Sequence, residues 1–243
     1  CLALVCCWQM GKLGRGARLG AFRWWSSFRS FVPASRAFYY ISLVFVFNSY
    51  LGVFLVKTFS DNTSVGQFGL ASRLAMFMSM PLMLLNSLIG PVIVEKLNGP
   101  KRELEITLRR CVLGVLALSS PVFALLVLAP GWVLSFWGEG FAPAKSALLV
   151  LALGQFYNLS TGSVGMVLSM GGGESINLRA LLWSMLINVI SSALFIPVYG
   201  ALGAAISTSL SVVFMNAYNS YFVYREHGLI LFPPLYFIKS RSI

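Results

Sequence analysis

The chain has 243 residues; 58% are hydrophobic, only 10% are charged, and the mean hydropathy is +0.81. A soluble domain carries about 25% charged residues, so the composition excludes an ordinary water-soluble fold. The net charge of +11 does not indicate nucleic acid, because no basic patch is interleaved with base-stacking aromatics on a soluble domain.

The first eight residues, Cys1 to Trp8, are apolar but too short to cross a bilayer, and positive charges follow them. A signal peptide has its charges in front. Residues 1–10 are therefore expected to be the end of a truncated preceding transmembrane helix, and the chain a fragment. Cys1, Cys6, Cys7 and Cys111 show no metal-ligand spacing and are read as small packing residues. Residues 11–36 hold Lys12, Arg15, Arg18, Arg23, Arg29 and Arg36 among Phe22, Trp24, Trp25, Phe28 and Phe31. Cations mixed with aromatics suit the headgroup layer of an anionic leaflet, which predicts a basic cytoplasmic linker.

Residues 37–225 then read as six transmembrane helices. A bilayer core of roughly 30 Å needs about 20 apolar residues in a helix. The first span is 37–56, closed by Lys57 and a polar loop at 60–64. The second, 74–94, is uncharged and contains Pro81, Asn86 and Pro91. A charged stretch with acids leading and bases trailing, Glu103 and Glu105 before Arg109 and Arg110, complements a helix dipole and predicts a short surface helix. The third span is 112–134, closed by Pro130-Gly131; the Gly- and Pro-rich segment 137–143 predicts an irregular loop. The fourth is 147–170, ending at Gly171-Gly172-Gly173. From Ala180 to Tyr224 no Asp, Glu, Lys, Arg or His occurs over 45 residues. That length holds two spans, 180–197 and 201–224, broken at Pro197 to Gly200. Residues 226–243 are expected as a cytoplasmic tail. On this map 15 of the 18 basic residues fall on one side and three (Lys57, Arg73, Lys145) on the other. The positive-inside rule then places both ends of the segment in the cytoplasm of a multi-pass inner-membrane protein.

Ionisable groups inside a span usually mark a transport path, and here they are nearly absent. Amides take their place: Asn48, Asn86, Gln155, Asn158, Asn188 and Asn216. They read either as the lining of a hydrated cavity or as interhelical glue. Gln155, Asn158, Gly162 and Gly165 share one face of an uninterrupted helix. Arg73, at the outer edge of the second span, either snorkels to headgroups or meets an anionic substrate. Gly203, Ser207 and Ser211 form a small-residue ridge for close helix approach. No enzyme, cofactor or metal is expected. The one histidine, His227, lies outside the spans, the seven carboxylates are scattered, and a nucleophile needs a base within reach.

Two segments carry a resemblance. One is Gly131-Trp132-Val133-Leu134-Ser135-Phe136-Trp137-Gly138-Glu139-Gly140-Phe141-Ala142-Pro143-Ala144 with Leu148 to Gly154 after it. The other is Ile196-Pro197-Val198-Tyr199-Gly200-Ala201-Leu202-Gly203-Ala204-Ala205-Ile206-Ser207, with Asn216 further on. Together with Ala71-Ser72-Arg73-Leu74 and the stretch 99–110, they resemble the C-terminal half of polysaccharide-biosynthesis (O-antigen, lipid-linked oligosaccharide) flippases. These belong to the multidrug/oligosaccharidyl-lipid/polysaccharide exporter superfamily. The resemblance covers roughly residues 35–228. It implies an all-α membrane protein whose six helices form one bundle, half of a MATE-like transporter of twelve or more helices. It also implies alternating access for an undecaprenyl-linked glycan, with Arg73 and the amides at the head group. Membrane lipids and glycan polymerase or assembly proteins are the expected partners. Other readings remain open. A drug or organic-cation antiporter of the same fold would more naturally use an intramembrane carboxylate. A membrane glycosyltransferase or acyltransferase would need a His or acidic cluster. A non-transporting fragment is the third.

Overall fold

The computed structural model describes residues 24–97 and 99–229, with side chains from Tyr39 onward. The expected helix end at 1–10, the first part of the linker (11–23) and the tail beyond residue 229 lie outside the described residues. The chain divides into two units, residues 1–36 and 37–243. In the first, the described backbone is helical from Trp24, where an interfacial linker was expected. The second holds the bundle.

Every described element is helical. In chain order they are α1 (Trp24–Phe59), α2 (Asn62–Phe77), α3 (Met80–Leu97), α4 (Lys101–Leu128) and α5 (Pro130–Ser135). A 3₁₀ turn (Glu139–Ala144) leads to α6 (Lys145–Thr161), α7 (Val164–Met170), α8 (Glu174–Tyr199) and α9 (Ala201–His227). Five segments are long and apolar enough to cross a membrane: Tyr39–Phe59, Met80–Leu97, Lys101–Leu128, Glu174–Tyr199 and Ala201–His227. A sixth crossing requires Glu139–Thr161 and Val164–Met170 together, a pair bent by 43°.

The helices depart from the expected map in four places, each with a local cause. First, the polar stretch at 60–64 is not a loop throughout. Asp61 caps α2, its carboxylate accepting from Ser64 N at 3.2 Å, so the helix starts at Asn62. The hydrogen bonds that its carboxylate accepts, chiefly from the Ser64 hydroxyl and N–H, lower the Asp61 pKa to about 2; the backbone donor is that of an N-cap. Second, the 74–94 span is broken at Met78–Ser79, just ahead of Pro81, which has no N–H to continue the ladder. Third, the surface helix at 103–110 and the third span are one helix, α4. It ends at Leu128, and Pro130 starts the separate α5, as proline favours the first helical position. The 137–143 segment is likewise partly regular, containing the 3₁₀ turn. Fourth, the 147–170 span is cut at Gly162, whose φ of +66° is cheap only for glycine.

The last two helices form the centre. α9 packs along α8, α6, α7 and α2. Gly203, Ser207 and Ser211 are all buried, so the small-residue ridge serves as a packing seam. At Gly203 the α8 backbone around Phe195 takes the place a Cβ would need. α9 also lies close to α6: a Cβ added at Gly154 would lie 2.6 Å from Ser209 Oγ and 2.8 Å from Ser209 Cβ. Two apolar cores result. One gathers Phe68, Met78, Leu134, Leu148, Leu159 and Ile196. The other gathers Ile93, Leu104, Leu108, Val167, Leu168 and Val223. Large apolar side chains on the outer faces stay exposed, among them Leu88, Leu118, Leu128, Leu194 and Val198. Water would penalise such a surface; lipid does not.

Candidate functional site

Backbone groups freed at a helix break must be satisfied inside the protein when no water surrounds it. At the first break a freed carbonyl is met from another helix, and at the second a side chain reaches across to another helix. At Met78–Ser79, Ser119 of α4 donates to the Met78 carbonyl at 2.8 Å and is itself buried. Ser79 Oγ donates to Gln155 Oε1 on α6 at 2.8 Å. The same oxygen accepts from Asn158 Nδ2 at 3.2 Å. Asn158 Oδ1 in turn accepts from Asn216 Nδ2 on α9 at 3.0 Å, and Asn216 also donates to the Val212 carbonyl at 3.0 Å. At the second break, Ser163 Oγ donates to Asn86 Oδ1 on α3 at 2.5 Å.

Four of the six expected amides therefore enter polar links between helices. Gln155, Asn158 and Asn216 join one relay with Ser79, and Asn86 joins Ser163. Gln155, Asn158 and Asn86 are half-buried, while Asn216 is buried. Asn188 is buried on α8 and accepts from Ser192 Oγ one turn on, at 3.2 Å. Asn48, on α1, is half-buried, and its Oδ1 has no hydrogen-bond partner.

The shared helical face expected for Gln155, Asn158, Gly162 and Gly165 does not survive the bend. A Cβ at Gly165 would lie 3.2 Å from Asn177 Oδ1. Gly165 thus belongs to a second polar node, where Asn219 Nδ2 donates to Asn177 Oδ1 at 3.0 Å and Asn177 Nδ2 donates to Ser169 Oγ at 2.9 Å. Sequence reasoning missed Ser79, Ser119, Ser163, Asn177 and Asn219.

Arg73 stands away from these nodes. On α2 the buried positions are Phe68, Ala71, Leu74 and Ala75, one helical stripe, and Arg73 is exposed off it. It borders a cleft of about 330 Å³ lined by Leu70, Leu74, Phe77, Met80 and Trp137. The arrangement is one guanidinium over an apolar floor, which suits a group with a negative head and a hydrocarbon tail. Gln67 Nε2 donates to the Gly140 carbonyl at 3.1 Å, tying α2 to the segment that carries Trp137. Among the described residues no three His, Cys, Asp or Glu side chains come together.

Comparison of the chain with protein-family models, curated proteins and solved structures found no match.

Proposed function

We propose that this six-helix unit is one bundle of a MATE-like, alternating-access transporter that flips an undecaprenyl-linked glycan across the inner membrane, with both ends of the bundle on the cytoplasmic side. The observation that carries the reading is the relay Ser79–Gln155–Asn158–Asn216, which starts at the Met78–Ser79 break and links three helical segments through neutral polar groups. Broken helices near the midplane are where transporters of this general kind place substrate sites. Neutral amides and hydroxyls match sugar hydroxyls, which both donate and accept. Arg73 over its apolar cleft matches the phosphate and the first part of the polyprenyl chain. The Ser79–Gln155–Asn158–Asn216 relay is built from neutral amides and a hydroxyl, which favours this reading over the cation antiporter.

The test is reconstitution of the protein in proteoliposomes with a fluorescent lipid-linked oligosaccharide and measurement of its translocation. Arg73→Ala and Gln155→Leu are expected to slow translocation at least tenfold while leaving insertion and detergent stability sufficient for purification. Wild-type rates in both variants would remove the cleft and the relay from the mechanism. Export of an organic cation with no glycan movement would establish the antiporter instead.

A further inference from the structure

Three features of α1 point to a moving part. Within residues 39–50 the helix is exposed around most of its circumference; Phe45, Val46 and Phe47 are each more than half exposed in succession. Only Ile41, Val44 and Asn48 are shielded, and partly. From Leu51 on, one face is closed: Leu51 is 5% exposed, Leu55 7% and Val56 0%. The helix is thus covered on one face from Leu51 to Val56 and little covered between Tyr39 and Tyr50.

The joint is Gly52. A Cβ there would lie 3.0 Å from the ring carbons Cε1 and Cζ of Phe68 on α2 and 3.5 Å from Thr208 Oγ1 on α9. The missing side chain lets the three helices meet at this level and leaves α1 locally permissive there.

Two buried oxygens beside the joint lack partners: Thr208 Oγ1, and Asn48 Oδ1 one turn along α1. Hydroxyls in membrane helices ordinarily donate to a carbonyl of the preceding turn. Ser207 and Ser211 of α9 do so, at 2.9 and 2.8 Å, and Ser209 donates to the Val150 carbonyl at 3.0 Å. Thr208 does not. An unmade hydrogen bond is expensive where no water competes. One group needs an acceptor, the other needs a donor, and Asn48 sits on the little-covered side of the joint.

We propose that α1 pivots at Gly52 between this little-covered position and a closed one in which Thr208 Oγ1 donates to Asn48 Oδ1, so that the pair latches α1 to α9. The latch needs no ligand and stands independently of the substrate proposed above.

Two experiments on the full chain in nanodiscs, with the four native cysteines replaced by serine, test it. In the first, Asn48→Cys and Thr208→Cys are combined and oxidised. A disulfide needs Cα atoms about 4.4–6.8 Å apart, so efficient cross-linking is expected from the closed state, and its absence overturns the proposal. In the second, spin labels at Val44→Cys and Met215→Cys report the distance between the helices. Two distance populations are expected. An intramembrane hydrogen bond averages about 0.6 kcal/mol, so Thr208→Val is expected to lower the ratio of short to long distances about threefold, and Thr208→Ser to keep it. A single distance, or a ratio indifferent to Thr208→Val, overturns the latch.

Discussion

Gln155 and Asn158 lie one turn apart on α6 and differ in what each leaves behind when replaced by leucine. Gln155 Oε1 accepts two hydrogen bonds, from Ser79 Oγ and Asn158 Nδ2. Gln155→Leu strands two donors in a setting where each orphan costs about 1–3 kcal/mol. Asn158→Leu strands one N–H of Asn216, whose amide nitrogen still donates to the Val212 carbonyl, while Gln155 Oε1 still accepts from Ser79. The expected losses are about 2–4 kcal/mol for Gln155→Leu and about 1–2 kcal/mol for Asn158→Leu. Adding Ser79→Ala to Gln155→Leu is expected to recover part of the loss, because it removes a stranded donor. The assay is reversible unfolding in bicelles, by steric trapping or by titration with a denaturing detergent. An equal or larger loss for Asn158→Leu would refute the counting, as would a further loss on adding Ser79→Ala.

Three more predictions follow from the same geometry. Gly154→Ala is expected to destabilise the protein by about 1–3 kcal/mol, because the new methyl meets Ser209; Ser209→Gly is expected to return part of this, measured by the same unfolding titration. Gly162→Ala is expected to cost more than 1 kcal/mol through backbone strain alone, since φ there is +66°, and Val112 Cγ2 also occupies the Cβ position; thermal unfolding reads it. Asp61 has its pKa depressed from 3.8 to about 2, so its capping contribution is complete above pH 3.8 and lost as the pH falls toward 2. Asp61→Ala is therefore expected to be less stable than wild type at pH 6, with the gap closing between pH 3.8 and 2. A gap that persisted below pH 2 would show that the carboxylate charge is not what stabilises the start of α2.

Much of the candidate site was legible as a set of residues but not as an arrangement. Gln155, Asn158 and Asn216 stand out because amides are conspicuous in apolar runs, and a polar group in lipid needs a partner. Which partner it finds depends on helix rotation and crossing, and those follow from packing. Ser79 and Ser163 gave no sign of their role, because a serine bonded to its own preceding turn looks the same in sequence as one reaching 77 positions along the chain to Asn86. Arg73 was read from its place at a helix edge; its cleft with Trp137 depends on α2 being held to the 139–144 turn.

Hydropathy and charge by themselves determined that the chain holds helices apolar enough to cross a membrane, roughly where they lie, and that Gly203, Ser207 and Ser211 share a small-residue ridge. These are properties of consecutive residues and of helical period, so one dimension suffices. Only the tertiary structure decided where helices break, that the 147–170 segment bends at Gly162, and that α1 is covered on one face from Leu51 but little covered before it. A break survives only when another helix supplies the missing hydrogen bonds, as Ser119 does for Met78, and that supply is long-range in sequence.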